Sequence, residues 1–159
     1  MHRPITAFKM DENGDWIAFL SCGHKQHVRH RPPFFERPWV ITEVGRSEKL
    51  GEPLDCVKCD RFDMPEDVEA YRKTAEFNEQ TVPESLRRDH STKPGVWAKI
   101  QVIEGKVIYR VNSLSAKFEL SPDAPGVVIP ETRHSIEPIG PVRFYVEFYK
   151  RNDNGGRLK

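Results

Sequence analysis

The chain has no excess of charge, no long apolar run and few cysteines, and each shortage closes off a class of protein. Across 159 residues the formal net charge is +1 and the pI about 7.8. That leaves no electrostatic footprint for nucleic acid or an anionic membrane. No stretch approaches the roughly 18–20 apolar residues that a membrane span needs. The opening "MHRPITAFKMDENGDW" lacks the apolar centre of a secretion signal, so the cytoplasm is the default expectation. Three cysteines, an odd number, do not close a disulfide framework. In a reducing compartment such thiols turn to metal binding or redox chemistry.

What the chain does have is unevenly placed. Residues 1–60 carry all three cysteines and four of the six histidines, and "SCGHKQHVRH" alone holds one cysteine and three histidines. The composition turns polar and acidic at "MPEDVEAYRKTAEFNEQTVPESLRRD", which sets a domain boundary near residues 61–65. The expected layout is a small unit over 1–60, a second domain over 65–150 and a frayed, Gly-rich tail over 151–159.

In the first part, "PITAFKM" and "DWIAFLS" read as strands joined by the hairpin turn "DENG". The prolines of "RPPFFERPW" exclude a helix or a central strand. "TEVGRSEKLG" suits a short helix that ends at Gly51. In the second part, "GVWAKIQVIEGKVIYRVN" predicts two strands hairpinned at Glu104–Gly105. Short strands follow at "AKFELSPD", "PGVVIP", "HSIEPI" and "PVRFYVEFYK", a spacing that points to a mainly β sandwich or barrel. The last alternates strictly: Val142, Phe144, Val146 and Phe148 share one face, and Arg143, Tyr145, Glu147 and Tyr149 the other.

Cys56 and Cys59 form a C-x-x-C, and Cys22 with His24 supplies a thiolate and an imidazole two residues apart. Two such pairs are what a tetrahedral zinc takes from a knuckle and a distant loop. The leading set is Cys22, His24, Cys56 and Cys59, with His27 as the alternative fourth ligand. A sixty-residue unit has little core, and a structural zinc would supply the missing stability. A redox C-x-x-C of thioredoxin type needs a βαβ setting that this region lacks. The segment "GDWIAFLSCGHKQHVRHRPPF", "RPWVITEVGR" and "LGEPLDCVKC", residues 3–60, resembles a small bacterial domain of no established activity.

Residues 88–149 resemble a cupin, a double-stranded β-helix barrel. A cupin's first motif carries two histidines and a glutamate before a "VLEG"-like turn, and its second a histidine after a proline. Here "RDHSTKPGVWAKIQVIEG" has His90 and the turn "VIEG", and "PGVVIPETRH" has Pro130 and His134. Ala98 stands where the resemblance places the glutamate ligand, so a full three-histidine, one-glutamate site is absent. A second divalent metal in the barrel would need His90, His134 and a carboxylate such as Glu131 or Glu147.

From Tyr71 to Tyr149 the likeness is to the cupin domain of the tellurite-resistance protein TehB, through "YRKTAEF", "TVPESLRRDHSTKPGVWAKI", "VIEGKVIYRV" and "HSIEPIGPVRFYVEFY". In TehB this domain accompanies a methyltransferase. No Gly-rich nucleotide loop after a strand occurs here, so methyl transfer is not implied. The resemblance does suggest pairing of cupins into a homodimer.

Arg87, Arg88 and Lys93 flank His90, and Arg133 precedes His134. Arginine forks match oxyanions and carboxylates. The expected ligand-binding set is Arg88, His90, Lys93, His134 and Glu147. Trp97 and Tyr109 read as packing residues. Two functions of different class follow. One is a small-molecule or oxyanion-binding cupin behind a structural zinc module, placed by the TehB resemblance in a tellurite or metal-oxyanion stress response. The other is a metal-dependent enzyme working through His90, His134 and a carboxylate. Nucleic-acid binding is a minor third reading, disfavoured by the near-neutral charge.

Overall fold

A computed structural model describes residues 1–152, and these divide into two compact units, Met1–Arg61 and the remainder from Phe62. Both are dominated by antiparallel strands. Among the described residues no helix is long and apolar enough to cross a membrane.

The first unit is a four-stranded sheet of order β3-β2-β1-β4, built from β1 (His2–Met10), β2 (Trp16–Leu20), β3 (Lys25–Val28) and β4 (Pro53–Asp55). The "DENG" turn forms as expected. Asp11 Oδ1 accepts from the amides of Asn13 and Asp15 at 2.9 Å each, and Gly14 takes φ +81°. Helix α1 (Glu43–Glu48) starts where the Thr42 side chain accepts from Gly45 N at 3.0 Å. Gly51 follows it in the left-handed region, the conformation that suits glycine beyond a helix end. The proline-rich stretch supplies only an isolated bridge, Arg31 to Phe35, and a 3₁₀ turn over Pro38–Ile41.

In the second unit, β7 (Trp97–Val111) and β10 (Ser135–Arg151) pair antiparallel along most of their length. With β5 (Val68–Lys73) and β8 (Ala116–Leu120) they give the order β5-β10-β7-β8. The short strands β6 (Phe77–Asn78) and β9 (Gly126–Val128) join β10 and β7 respectively. A one-turn helix, α3 (Glu84–Arg87), precedes β7.

The hairpin expected at Glu104–Gly105 is not there. Trp97–Val111 is one strand, bent rather than reversed, and both its halves pair with β10 instead of each other. The physical reason lies at Gly105, which has φ +79° and on which a Cβ would sit 2.2 Å from Pro141 O. Glycine thus permits both the bend and the close passage of the neighbouring strand. The buried positions change phase across the bend, from Ala98, Ile100 and Val102 to Val107, Tyr109 and Val111. "HSIEPI" and "PVRFYVEFYK" merge into β10 in the same way, with a register shift between Ile139 and Phe144.

The predicted face of β10 is correct: Val142, Phe144 and Val146 are buried, and Phe148 packs against the same core. Burying each such side chain contributes roughly 1.5–3 kcal/mol. Arg151, the first residue of the expected tail, is the last of β10, while residues 153–159 lie outside the described residues.

Candidate metal centre and binding cavity

Cys22 sits in the tight turn between β2 and β3, closed by Gly23 N to Leu20 O at 2.9 Å and Leu20 N to His24 O at 3.0 Å. Gly23 takes φ +92° there, so the turn folds back far enough for His24 to face Cys22. Cys56 is the N-cap of the one-turn helix α2 (Val57–Asp60), and Cys59 lies within it. β1 pairs with both β2 and β4, and this brings the turn and the helix to one end of the sheet. The expected ligand set is assembled by this topology.

All four side chains are buried, and their ligand atoms lie within 4.8 Å of one another. Sγ of Cys22 is 3.9 Å from that of Cys56. Nδ1 of His24 is 3.4, 3.3 and 3.7 Å from the sulfurs of Cys22, Cys56 and Cys59. A tetrahedral zinc with Zn–S of about 2.3 Å and Zn–N of about 2.0–2.1 Å requires edges of about 3.8 Å between sulfurs and about 3.6 Å from sulfur to nitrogen. The Cys22–Cys56 edge and the three sulfur–nitrogen edges match these dimensions, so the donors suit the ion in both chemistry and spacing.

Its electrostatics ask for a cation. Burial would lower the pKa of His24, but its contacts with Cys22 and Cys56 outweigh this and raise it to about 9. Hydrogen bonds with Cys22 and Cys59 push the Cys56 thiol down, whereas those with Cys22 and Cys56 push Cys59 up. Three thiols in one buried pocket do not all ionise unless a positive charge offsets them.

The remaining histidines of the opening motif have other partners. His27, the alternative ligand, is half-exposed and lies with Nε2 2.9 Å from Asp11 Oδ2. Nδ1 of His30 accepts from Arg37 N at 3.0 Å. Arg29 and Arg31 both pair with Asp15, at 3.1 and 3.6 Å.

In the second unit, His90 and His134 are joined by a pair of backbone hydrogen bonds of 2.9 and 2.8 Å, and their rings meet edge to face at 5.6 Å. They border a cavity of about 210 Å³ whose walls include Ala98, Ile100, Val128, Ile136, Val146 and Phe148. A turn at Lys93–Val96 separates His90 from β7, so the alternation of that strand does not aim His90 at the cavity. The bridge to His134 places it there instead.

His134 is 5% exposed, and its Nδ1–H donates to Thr132 O at 3.2 Å. Burial, with the neighbouring His90, lowers its pKa to about 4 despite that hydrogen bond, which keeps the ring neutral. Tyr109 packs edge-on to His134 and donates its hydroxyl to Val127 O at 2.8 Å, the packing role expected for it. Trp97 is fully buried.

The other expected ligands are dispersed. Glu147 is on the opposite face of β10 from Val146 and Phe148, hydrogen-bonded to the Tyr149 hydroxyl, and does not line the cavity. Glu131 is exposed at φ +54°. Neither completes a metal site with the two histidines: among the described residues, the four-membered thiol cluster is the one group of three or more potential ligands. Arg88 pairs with Glu84 at 2.5 Å on the surface, and Arg133 lies 3.8 Å from Asp89.

Lys93 does border a second recess of about 340 Å³, which shares His90, Thr92 and Phe148 with the cavity. Arg72 and Tyr71 of β5 also line it and were not foreseen. Arg72 stands opposite Phe148 in the β5–β10 register, a pairing that no local sequence signal announces.

Residues 6–63 match the family model of DUF3565, a protein of unknown function, and residues 72–146 match that of the TehB-like domain. The chain thus matches two family models in series, and its two parts take their names from them, the DUF3565 region and the TehB-like domain. Solved structures that resemble it include the following two. TehB from Haemophilus influenzae is 21% identical with a TM-score of 0.50, over 55% of this chain and 33% of that one. A protein from E. coli strain K12 is 24% identical with a TM-score of 0.52, over 57% of this chain and 97% of that one. The chain therefore spans about a third of the TehB structure, and both likenesses concern the fold. No curated protein matches the chain. The DUF3565 match contains the whole Cys/His cluster, and the TehB-like match contains every residue lining the cavity but Phe148.

Proposed function

We propose that the TehB-like domain is a cupin-like barrel that binds a small molecule without transforming it, and that the DUF3565 region is a zinc-clasped structural module. The observation that carries this reading is the cavity of about 210 Å³, apolar over most of its wall, on which two imidazoles converge. A largely apolar pocket with a few converging polar groups is the usual form of a small-molecule site. The two long bent strands that each serve both halves of the sheet support the cupin reading.

The zinc module is structural because four buried protein ligands close the coordination sphere, leaving no position for a substrate or an activated water. Free thiolates of this kind suit a reducing cytoplasm. The oxyanion form of the ligand, in a tellurite or metal-oxyanion stress response, draws support from Arg72 and Lys93 in the recess and none from the cavity wall. Catalysis through His90, His134 and a carboxylate has no such support, since neither Glu131 nor Glu147 lines the cavity.

The test is a fragment screen by ¹H–¹⁵N NMR on the zinc-loaded full chain. Shifts should concentrate on residues around His90, Ile136 and Phe148. Fragments that leave those amides unmoved and gather elsewhere would contradict the reading.

A further inference from the structure

The cavity and the recess differ in chemistry, and the difference defines a ligand. The cavity floor at Ala98 carries only a methyl group where β7 meets Val128 and Phe148 in register. Ile100, Ile136 and Val146 continue the apolar wall. His134, the one buried polar residue of the lining, is neutral and has its Nδ1–H committed to Thr132 O. No charged side chain lines the cavity. A bare oxyanion placed there would lose its hydration without gaining a partner charge.

The recess is the reverse. Arg72 and Lys93 line it, and no carboxylate does. Several other cations of this unit are ion-paired, Arg88 with Glu84, Lys106 with Glu119, Arg110 with Glu137, Arg143 with Glu76 and Glu104, and Arg151 with Asp67, while Lys73, Lys99 and Lys150 lie over aromatic rings. Arg72 and Lys93 have no such ion pair among the described residues. His90, Thr92 and Phe148 belong to both spaces, so a molecule can lie across the junction.

Resting on the binding reading above, we infer that the ligand is a small monocarboxylate with an apolar body. The body fills the cavity over Ala98 and Phe148, and the carboxylate turns out at His90 towards Arg72 and Lys93. An apolar cavity of about 150 Å³ admits a benzene ring. The space here therefore takes one ring or a chain of about six to eight carbons.

The experiment is calorimetric titration of the zinc-loaded full chain with straight-chain carboxylates from acetate to octanoate, with hexanol as the uncharged probe and tellurite as the bare oxyanion. Affinity should rise about fourfold with each added methylene until the cavity is full. Arg72→Gln with Lys93→Gln, both exposed and outside the core, should weaken hexanoate about tenfold or more and leave hexanol unchanged. Ala98→Leu should abolish both, with thermal melting to show that the variant is folded.

Equal binding of hexanol and hexanoate, unmoved by the double variant, would overturn the carboxylate assignment and leave the binding cavity intact. Tellurite binding without any dependence of the carboxylates on chain length would overturn the apolar body and favour the oxyanion form. Failure of every probe in the series would remove both the ligand class and the binding reading.

Discussion

Cys22 Sγ lies 3.9 Å from Cys56 Sγ across 34 residues of chain, and Nδ1 of His24 is within 3.4 Å of both. Without an ion this arrangement crowds soft donors into a buried space, where desolvation penalises every charged form. With a tetrahedral divalent ion the same distances become ligand-to-ligand edges.

Zinc removal is therefore expected to unfold the first unit. The apparent free energy of structural zinc in small domains is about 10–16 kcal/mol, comparable to or larger than the total stability of most domains, about 5–15 kcal/mol. Chelation, Cys22→Ser or Cys56→Ser should abolish hydrogen-exchange protection in β1 and β2 while β7 and β10 keep theirs. His27→Ala should leave zinc content unchanged, because that ring pairs with Asp11. Equal zinc loss in His27→Ala and Cys22→Ser would contradict the ligand set.

Gly105 offers a test of the fold. At φ +79°, with Pro141 O 2.2 Å from where a Cβ would sit, Gly105→Ala meets both backbone strain and a clash with a neighbouring main chain. A loss of about 2 kcal/mol or more is expected in urea unfolding of the second unit. Gly14→Ala is the comparison, because nothing lies within 4 Å of its Cβ position and only the strain of φ +81° remains. If Gly105→Ala costs no more than Gly14→Ala, the strand crossing is not as described.

These positions show how far the sequence alone could be read. The Cys/His cluster was legible because each pair is local: C-x-x-C and C-x-H need only a turn or a helix start to present two donors. The inward face of β10 was legible through its alternation, and that same alternation already turned Glu147 away from the cavity. Glu104–Gly105 misled because a glycine that allows a bend and one that closes a hairpin look identical locally. What distinguishes them is the approach of Pro141, 36 residues further along. Arg72 escaped notice for a similar reason, since its place beside Phe148 depends on which strand lies next to β10.

His134 predicts an acid limb in the stability of the second unit. Its folded pKa of about 4 lies below the unfolded value of about 6.5, so the unfolded chain binds the proton more readily between those limits. The stability contributed by the neutral, buried ring is complete above about pH 6.5 and is lost as the pH falls towards 4. The loss is on the order of 3 kcal/mol. His134→Gln should flatten that limb in a comparison of urea midpoints at pH 7.5 and 4.5. A His134→Gln profile parallel to the parent's would mean that the ring titrates normally.

The most direct measurement is diffraction from crystals of the zinc-loaded full chain on either side of the zinc absorption edge, since it counts and places ions in both units at once. One anomalous peak is expected, enclosed by Cys22, His24, Cys56 and Cys59, with none beside His90 and His134. A peak at the histidine pair would make the cavity a metal centre, and the lack of one among the thiols would remove the clasp.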